Sequence, residues 1–97
     1  MSRLAHRQND SRTCGARTAT GSSNVWIENE RAARDDDTNS HGGGGINAST
    51  STVFINGRPA ARVQDSAKPD NLCGWPNPPT HCNPDTTGSA RSVYIGD

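Results

Sequence analysis

Val53-Phe54-Ile55-Asn56-Gly57-Arg58-Pro59-Ala60-Ala61-Arg62 decides how this chain folds. Its β-branched and aromatic opening favours a short strand, and Asn56-Gly57 tolerates the φ > 0 that a two-residue hairpin turn demands. The apolar triplet occurs twice more, as Val25-Trp26-Ile27 and Val93-Tyr94-Ile95. Nine residues after Val25 and Val53 stand Arg34 and Arg62, inside the strings ERAAR and GRPAAR. Three residues after each arginine stands an aspartate, Asp37 and Asp65, and Arg7 and Asp10 repeat that pair near the start.

Steps of 27 and 28 residues from Asp10 to Asp37 to Asp65 indicate one supersecondary unit used three times. The first copy lacks a leading triplet, and the last triplet lacks its arginine and aspartate. Head and tail are therefore expected to complete one unit together, bringing the termini side by side and setting three similar units about a pseudo-threefold axis. No stretch has helical periodicity, and ten glycines and six prolines interrupt the chain. The expected fold class is all-β, a single domain over residues 1–97 made of short strands and irregular loops. His41-Gly42-Gly43-Gly44-Gly45 and the segment from Pro69 to Pro84, the longest interruption of the repeat, read as loops of special purpose.

Leu, Ile, Val and Phe number only eleven of 97 residues, below the roughly 20% that globular chains exceed. Disorder would also want a high net charge, and here ten basic residues balance ten acidic ones. So small a core calls for a staple: disulfides, a structural metal or a partner subunit. The neutral balance argues against a nucleic-acid binder working through a basic face. No apolar run approaches a membrane helix or a signal-peptide core, so synthesis in the cytosol is expected. Three cysteines in a reducing compartment point to metal binding rather than to disulfides.

Pro59-Ala60-Ala61-Arg62, set between the Val-aromatic-Ile strand, the Asn-Gly turn and Asp65, resembles the PAAR-repeat family, and two degenerate copies extend the resemblance over essentially the whole chain. The chain departs from that pattern at Asp36 and Gln64, where a glycine commonly precedes the aspartate. The resemblance implies a small cone stapled by a zinc ion near its apex. Its flat base would sit on the homotrimeric β-helical spike of a contractile phage tail or a type VI secretion system, one tip per trimer. Without an extension at either end the chain looks like a stand-alone tip of a virion baseplate rather than an effector carrier. A secretion-spike tip or effector adaptor is the alternative, and transient contact with the target cell membrane is implied.

The repeat locates candidate ligands. Cys14 lies four residues after Asp10 and His41 four after Asp37, whereas the third unit has Pro69 at that place; counted back from the strands, His81 precedes Val93 by twelve residues as His41 precedes Val53. A structural zinc site takes four N or S ligands, so a fourth must come from outside the repeat. Cys73 and Cys82 both qualify, and the family's habit of taking a second ligand from its longest loop favours Cys73. His6 precedes Arg7 and is not expected to bind metal. Cys and His donors favour zinc, with iron as the other option.

HGGGG could serve as an oxyanion loop, but no G-x-S-x-G elbow accompanies it. Asp35-Asp36-Asp37-Thr38-Asn39 lacks the glycine and glutamate of a calcium loop, whose places hold Ser40 and Ile46, and reads as a solvated turn. A small metal-dependent enzyme is a remote alternative, since a closed four-ligand site has no open position for substrate. The surface expected to meet the spike consists of the triplets Val25, Trp26 and Ile27, Val53, Phe54 and Ile55, and Val93, Tyr94 and Ile95.

Overall fold

The computed structural model describes residues 2–97. Its strands are β1 (Arg3–Leu4), β2 (Trp26–Ile27), β3 (Glu30–Arg31), β4 (Ile46–Asn47), β5 (Phe54–Ile55), β6 (Arg58–Pro59), β7 (Ser66–Ala67) and β8 (Tyr94–Ile95). A 3-10 turn at Pro79–Cys82 is the one helical element among the described residues. β2 folds back on β3, and β5 on β6. Both turns hold two successive residues at positive φ: 49° and 70° at Glu28 and Asn29, 53° and 79° at Asn56 and Gly57. That twist matches the flanking strands. In place of a third hairpin, β8 pairs antiparallel with β1, so segments from opposite ends of the sequence complete one unit, as expected.

Beyond these pairs the backbone bonds recur in threes. The N–H groups of Ala5, Ala32 and Ala60 donate to the carbonyls of Val93, Val25 and Val53 at 2.8, 2.9 and 2.9 Å. One residue further on, His6 N–H donates to Ala61, Ala61 to Ala33, and Ala33 back to His6, at 3.1, 3.0 and 3.1 Å. These three residues thus form a closed ring of hydrogen bonds. Alanine suits Ala33 and Ala61 because three backbones converge there with no room for longer side chains between them. His6 takes the same place in the first unit and sends its ring sideways, where Nδ1 meets the Gly88 carbonyl at 2.7 Å and Nε2 meets Thr18 Oγ1 at 2.5 Å.

Next come the aspartates. Asp10, Asp37 and Asp65 accept the N–H groups of Arg7, Arg34 and Arg62 at 2.8, 2.7 and 2.8 Å. The residue before each aspartate has positive φ: 74° at Asn9, 69° at Asp36 and 68° at Gln64. The turn thus forms in all three copies without glycine. Asp37 is buried, so the Asp35-Asp36-Asp37 string is not the solvated turn expected; its last member closes the loop on Arg34. Thr18, Ile46 and Thr86, all buried, then donate N–H to the carbonyls of Asp10, Asp37 and Asp65 at 3.0, 3.2 and 3.0 Å.

Two small apolar clusters fill the interior, one of Ala5, Ala32, Ala60, Ala90, Ile55 and Ile95, the other of Ala33, Ile46 and Ala61. Alanine contributes little buried area, so much of the order rests on satisfied backbone groups. The triplets divide between inside and outside. Trp26, Phe54 and Tyr94 are exposed, whereas Ile55 and Ile95 belong to the core. This corrects the expectation that whole triplets form a contact surface, because alternation along a strand turns neighbouring side chains to opposite faces. No helix of the described residues is long and apolar enough to cross a membrane.

Candidate metal centre

Each pair of bonds between an aspartate and its return partner leaves an excursion: residues 10–18, 37–46 and 65–86. Their tips meet. Cys14 comes from the first, His41 from the second, and Asp70 and His81 from the third, with one ligand atom of each within 4.8 Å of all the others. His41 Nδ1 and His81 Nδ1 both lie 3.2 Å from Asp70 Oδ2, and Cys14 Sγ lies 3.9 Å from His41 Nδ1. A tetrahedral ion at about 2.0–2.3 Å from its donors separates them by roughly 3.3–3.8 Å. The four groups need only small shifts to hold one.

Local sequence explains each placement. Gly42, Gly43 and Gly44 all have positive φ, at 88°, 69° and 69°. A Cβ on Gly42 would collide with the Asn71 side-chain amide, and one on Gly44 would lie 2.5 Å from Asn39 Nδ2. The glycine run lets His41 fold against the third excursion with nothing between the backbones. Asp70 is fixed by its own turn, Oδ1 accepting the Leu72 N–H at 2.8 Å. His81 sits in the 3-10 turn, and its carbonyl accepts the Asp70 N–H at 2.8 Å, joining the loop's two stems.

The electrostatics suit a cation. Burial works to raise the Asp70 carboxyl, but hydrogen bonds from the Leu72 N–H, His81, Asn39 and His41 outweigh it and hold the group down at about 2. Asp70 is therefore an anion throughout the physiological range. Burial pushes the Cys14 thiol upward, a condition that coordination to a cation reverses by favouring thiolate. Asn39 Nδ2 donates to Asp70 Oδ2 at 3.1 Å, the kind of outer contact that orients a ligating carboxylate.

Beneath the site lies Arg12, 3% exposed, its ordinary basicity lowered to about 10 by burial. Its guanidinium donates to the carbonyls of Gly44, Pro84 and Asp37 at 2.7, 3.3 and 3.1 Å, and Nε donates to Thr18 Oγ1 at 2.8 Å. One side chain from the first excursion thereby binds the other two together.

Three of the four ligands expected from sequence, Cys14, His41 and His81, are brought together. Cys73 is not. It is joined to Cys82 in a disulfide with Cα atoms 4.6 Å apart, because the loop doubles back over nine residues. Cys82, the other candidate, is thereby also withdrawn, and the expectation that the cysteines avoid disulfides is corrected for this pair. Asp70 was missed although a signal existed: counting four residues from Asp65 lands on Pro69, which has no donor, and the next residue is a carboxylate. His6 is fully buried and lies outside the group. No protein-family model matches the chain, and no curated protein is similar to it.

Proposed function

We propose that this chain is a PAAR-repeat protein, a conical tip with pseudo-threefold symmetry that caps a homotrimeric β-helical spike of a contractile phage tail. The observation that carries the reading is the threefold recurrence of one bonding pattern within a single chain, ending in three exposed aromatics at matched places, Trp26, Phe54 and Tyr94. A monomer of this kind offers the same groups to each of three identical partner chains. The blunt end of a β-helix has open strand edges that invite wrong pairing, and a cap removes them. A type VI secretion spike makes the same demands, so a spike tip or effector adaptor there is the related reading. The protein would work in the assembled virion or spike after synthesis in the bacterial cytoplasm, without nucleic acid and without catalysis.

The ion best suited to Cys14, His41, Asp70 and His81 is zinc, which accepts thiolate, imidazole and carboxylate in a closed four-coordinate site. Bound there it would tie the tips of all three excursions, which the apolar clusters do not reach. Arg12 and Asn39 hold the ligands in position from behind. A closed site leaves no position for substrate, in keeping with a structural role.

Stable association needs about 800 Å² from this partner, about one sixth of the chain's 4967 Å² of surface. Native mass spectrometry of the protein mixed with a purified trimeric spike fragment tests the reading. One tip per trimer is expected; three tips per trimer, or no complex, overturns it.

A further inference from the structure

Residues 71–80 are ten consecutive exposed positions at the end of the third excursion. Their mounting is unusually firm. Asp70 and His81, the residues on either side, both belong to the metal group and bond to each other through the backbone. The Cys73–Cys82 disulfide closes the loop next to them. On this base stand Trp75, 93% exposed, and Leu72, 39% exposed, and no Lys, Arg, Asp, Glu or His occurs from 71 to 80. Trp26, Phe54 and Tyr94, the aromatics of the strands, are 55–61% exposed, so the indole of Trp75 is held out of the protein further than any of them.

We propose that the 71–80 loop is a lipid-contact element, with Trp75 and Leu72 entering the interfacial layer of a zwitterionic phospholipid bilayer. A protein partner is the other occupant such a loop could suggest, and area decides against it. The two large apolar side chains of the loop, one indole and one leucine, offer at most roughly 250–400 Å², short of the apolar share of a specific interface of roughly 800 Å² per side. A bilayer interface requires no such matched area. It accepts single tryptophans, whose flat apolar body and N–H suit the boundary between chains and headgroups. The absence of charge on the loop makes a neutral headgroup surface sufficient. The anchored stems leave little loop entropy to lose on insertion.

The inference rests on the spike-tip reading only for the biological occasion of the contact. Lipid binding is a property of the free chain, so its failure leaves spike capping untouched, and failure of spike capping leaves lipid binding measurable. The metal-loaded Trp26→Phe protein, whose remaining tryptophan is Trp75, is titrated with phosphatidylcholine vesicles to millimolar lipid while indole fluorescence is followed. A blue shift is expected, with stronger quenching by bromine placed shallow in the acyl chain than by bromine placed deep. In vesicle sedimentation of the otherwise native protein, Trp75→Ala is expected to lower partitioning about tenfold. Its melting temperature should not change, because the side chain lies outside the core. Unshifted, unquenched fluorescence at the highest lipid overturns the proposal. So does equal partitioning of Trp75→Ala, binding only to anionic vesicles, or a blue shift produced by a protein ligand in the absence of lipid response.

Discussion

Asp70 and His6 are the side chains whose roles depend most on a single place in the repeat. Asp70 lies one position off the register that located Cys14 and His41, so spacing alone passed over it, while His81 was found by counting from the following strand. Asp70→Ala is expected to lower zinc affinity at least about tenfold by removing one of four donors, whereas Cys73→Ala should keep zinc at one equivalent; elemental analysis of both variants decides, and the reverse pattern would restore the assignment to Cys73. His6 carries a different signature. Burial lowers its imidazole from 6.5 to about 4. Between those values the unfolded chain binds the proton and the folded one does not, so stability rises with pH across the window and is lost as pH falls from 6.5 toward 4. The loss is on the order of 3 kcal/mol. His6→Ala, which installs the residue of the other two copies, should flatten that slope in melting curves recorded from pH 7 to 4.

Strands of two residues are barely visible to pattern reading, yet Val-aromatic-Ile marks three of them because an aromatic flanked by Val and Ile occurs nowhere else in the chain. Asn56-Gly57 was legible as a turn; Glu28-Asn29, with the same backbone, was not, since glutamate at φ 49° goes against its own preference and is held there by the repeat. Gln64 is a second such residue. Gln64→Gly is expected to stabilise by about 1 kcal/mol by relieving the left-handed conformation, and Gln64→Val to destabilise by about as much; the two melting temperatures should move in opposite directions. The 73–82 loop supplies His81 to the metal group, whereas its two cysteines, expected to stay reduced, are brought together by the local doubling back. Reducing that disulfide should cost about 2.5 kcal/mol from the loop-closure entropy of so short a ring, seen as a lower unfolding midpoint in denaturant with thiol reductant than without it, a shift that the Cys73→Ala/Cys82→Ala protein should not show.

At the scale of the molecule, two apolar clusters built mainly from alanine sit within an elongated body of 37 × 24 × 24 Å. The scarcity of large apolar residues was plain from composition, and so was the need for a staple. What composition could not convey was that a buried arginine, Arg12, shares the task with the metal group. Structural zinc contributes on the order of 10 kcal/mol to small domains, similar to the whole stability of a domain. Stripping the protein with a strong chelator should lower its melting temperature by at least about 20 °C, and added zinc should restore it; an unchanged transition would remove the metal from the fold's support.

The pairing of β1 with β8 also governs when this molecule can exist during its own manufacture. Arg3 and Leu4 leave the ribosome well ahead of Tyr94 and Ile95, so this pair cannot close until all of the intervening chain has been made. Translation must have passed residue 95, and that segment must have cleared the exit tunnel, before the ring through His6, Ala33 and Ala61 acquires its last neighbours. A message stopped before residue 94 yields a chain in which β1 has no partner strand.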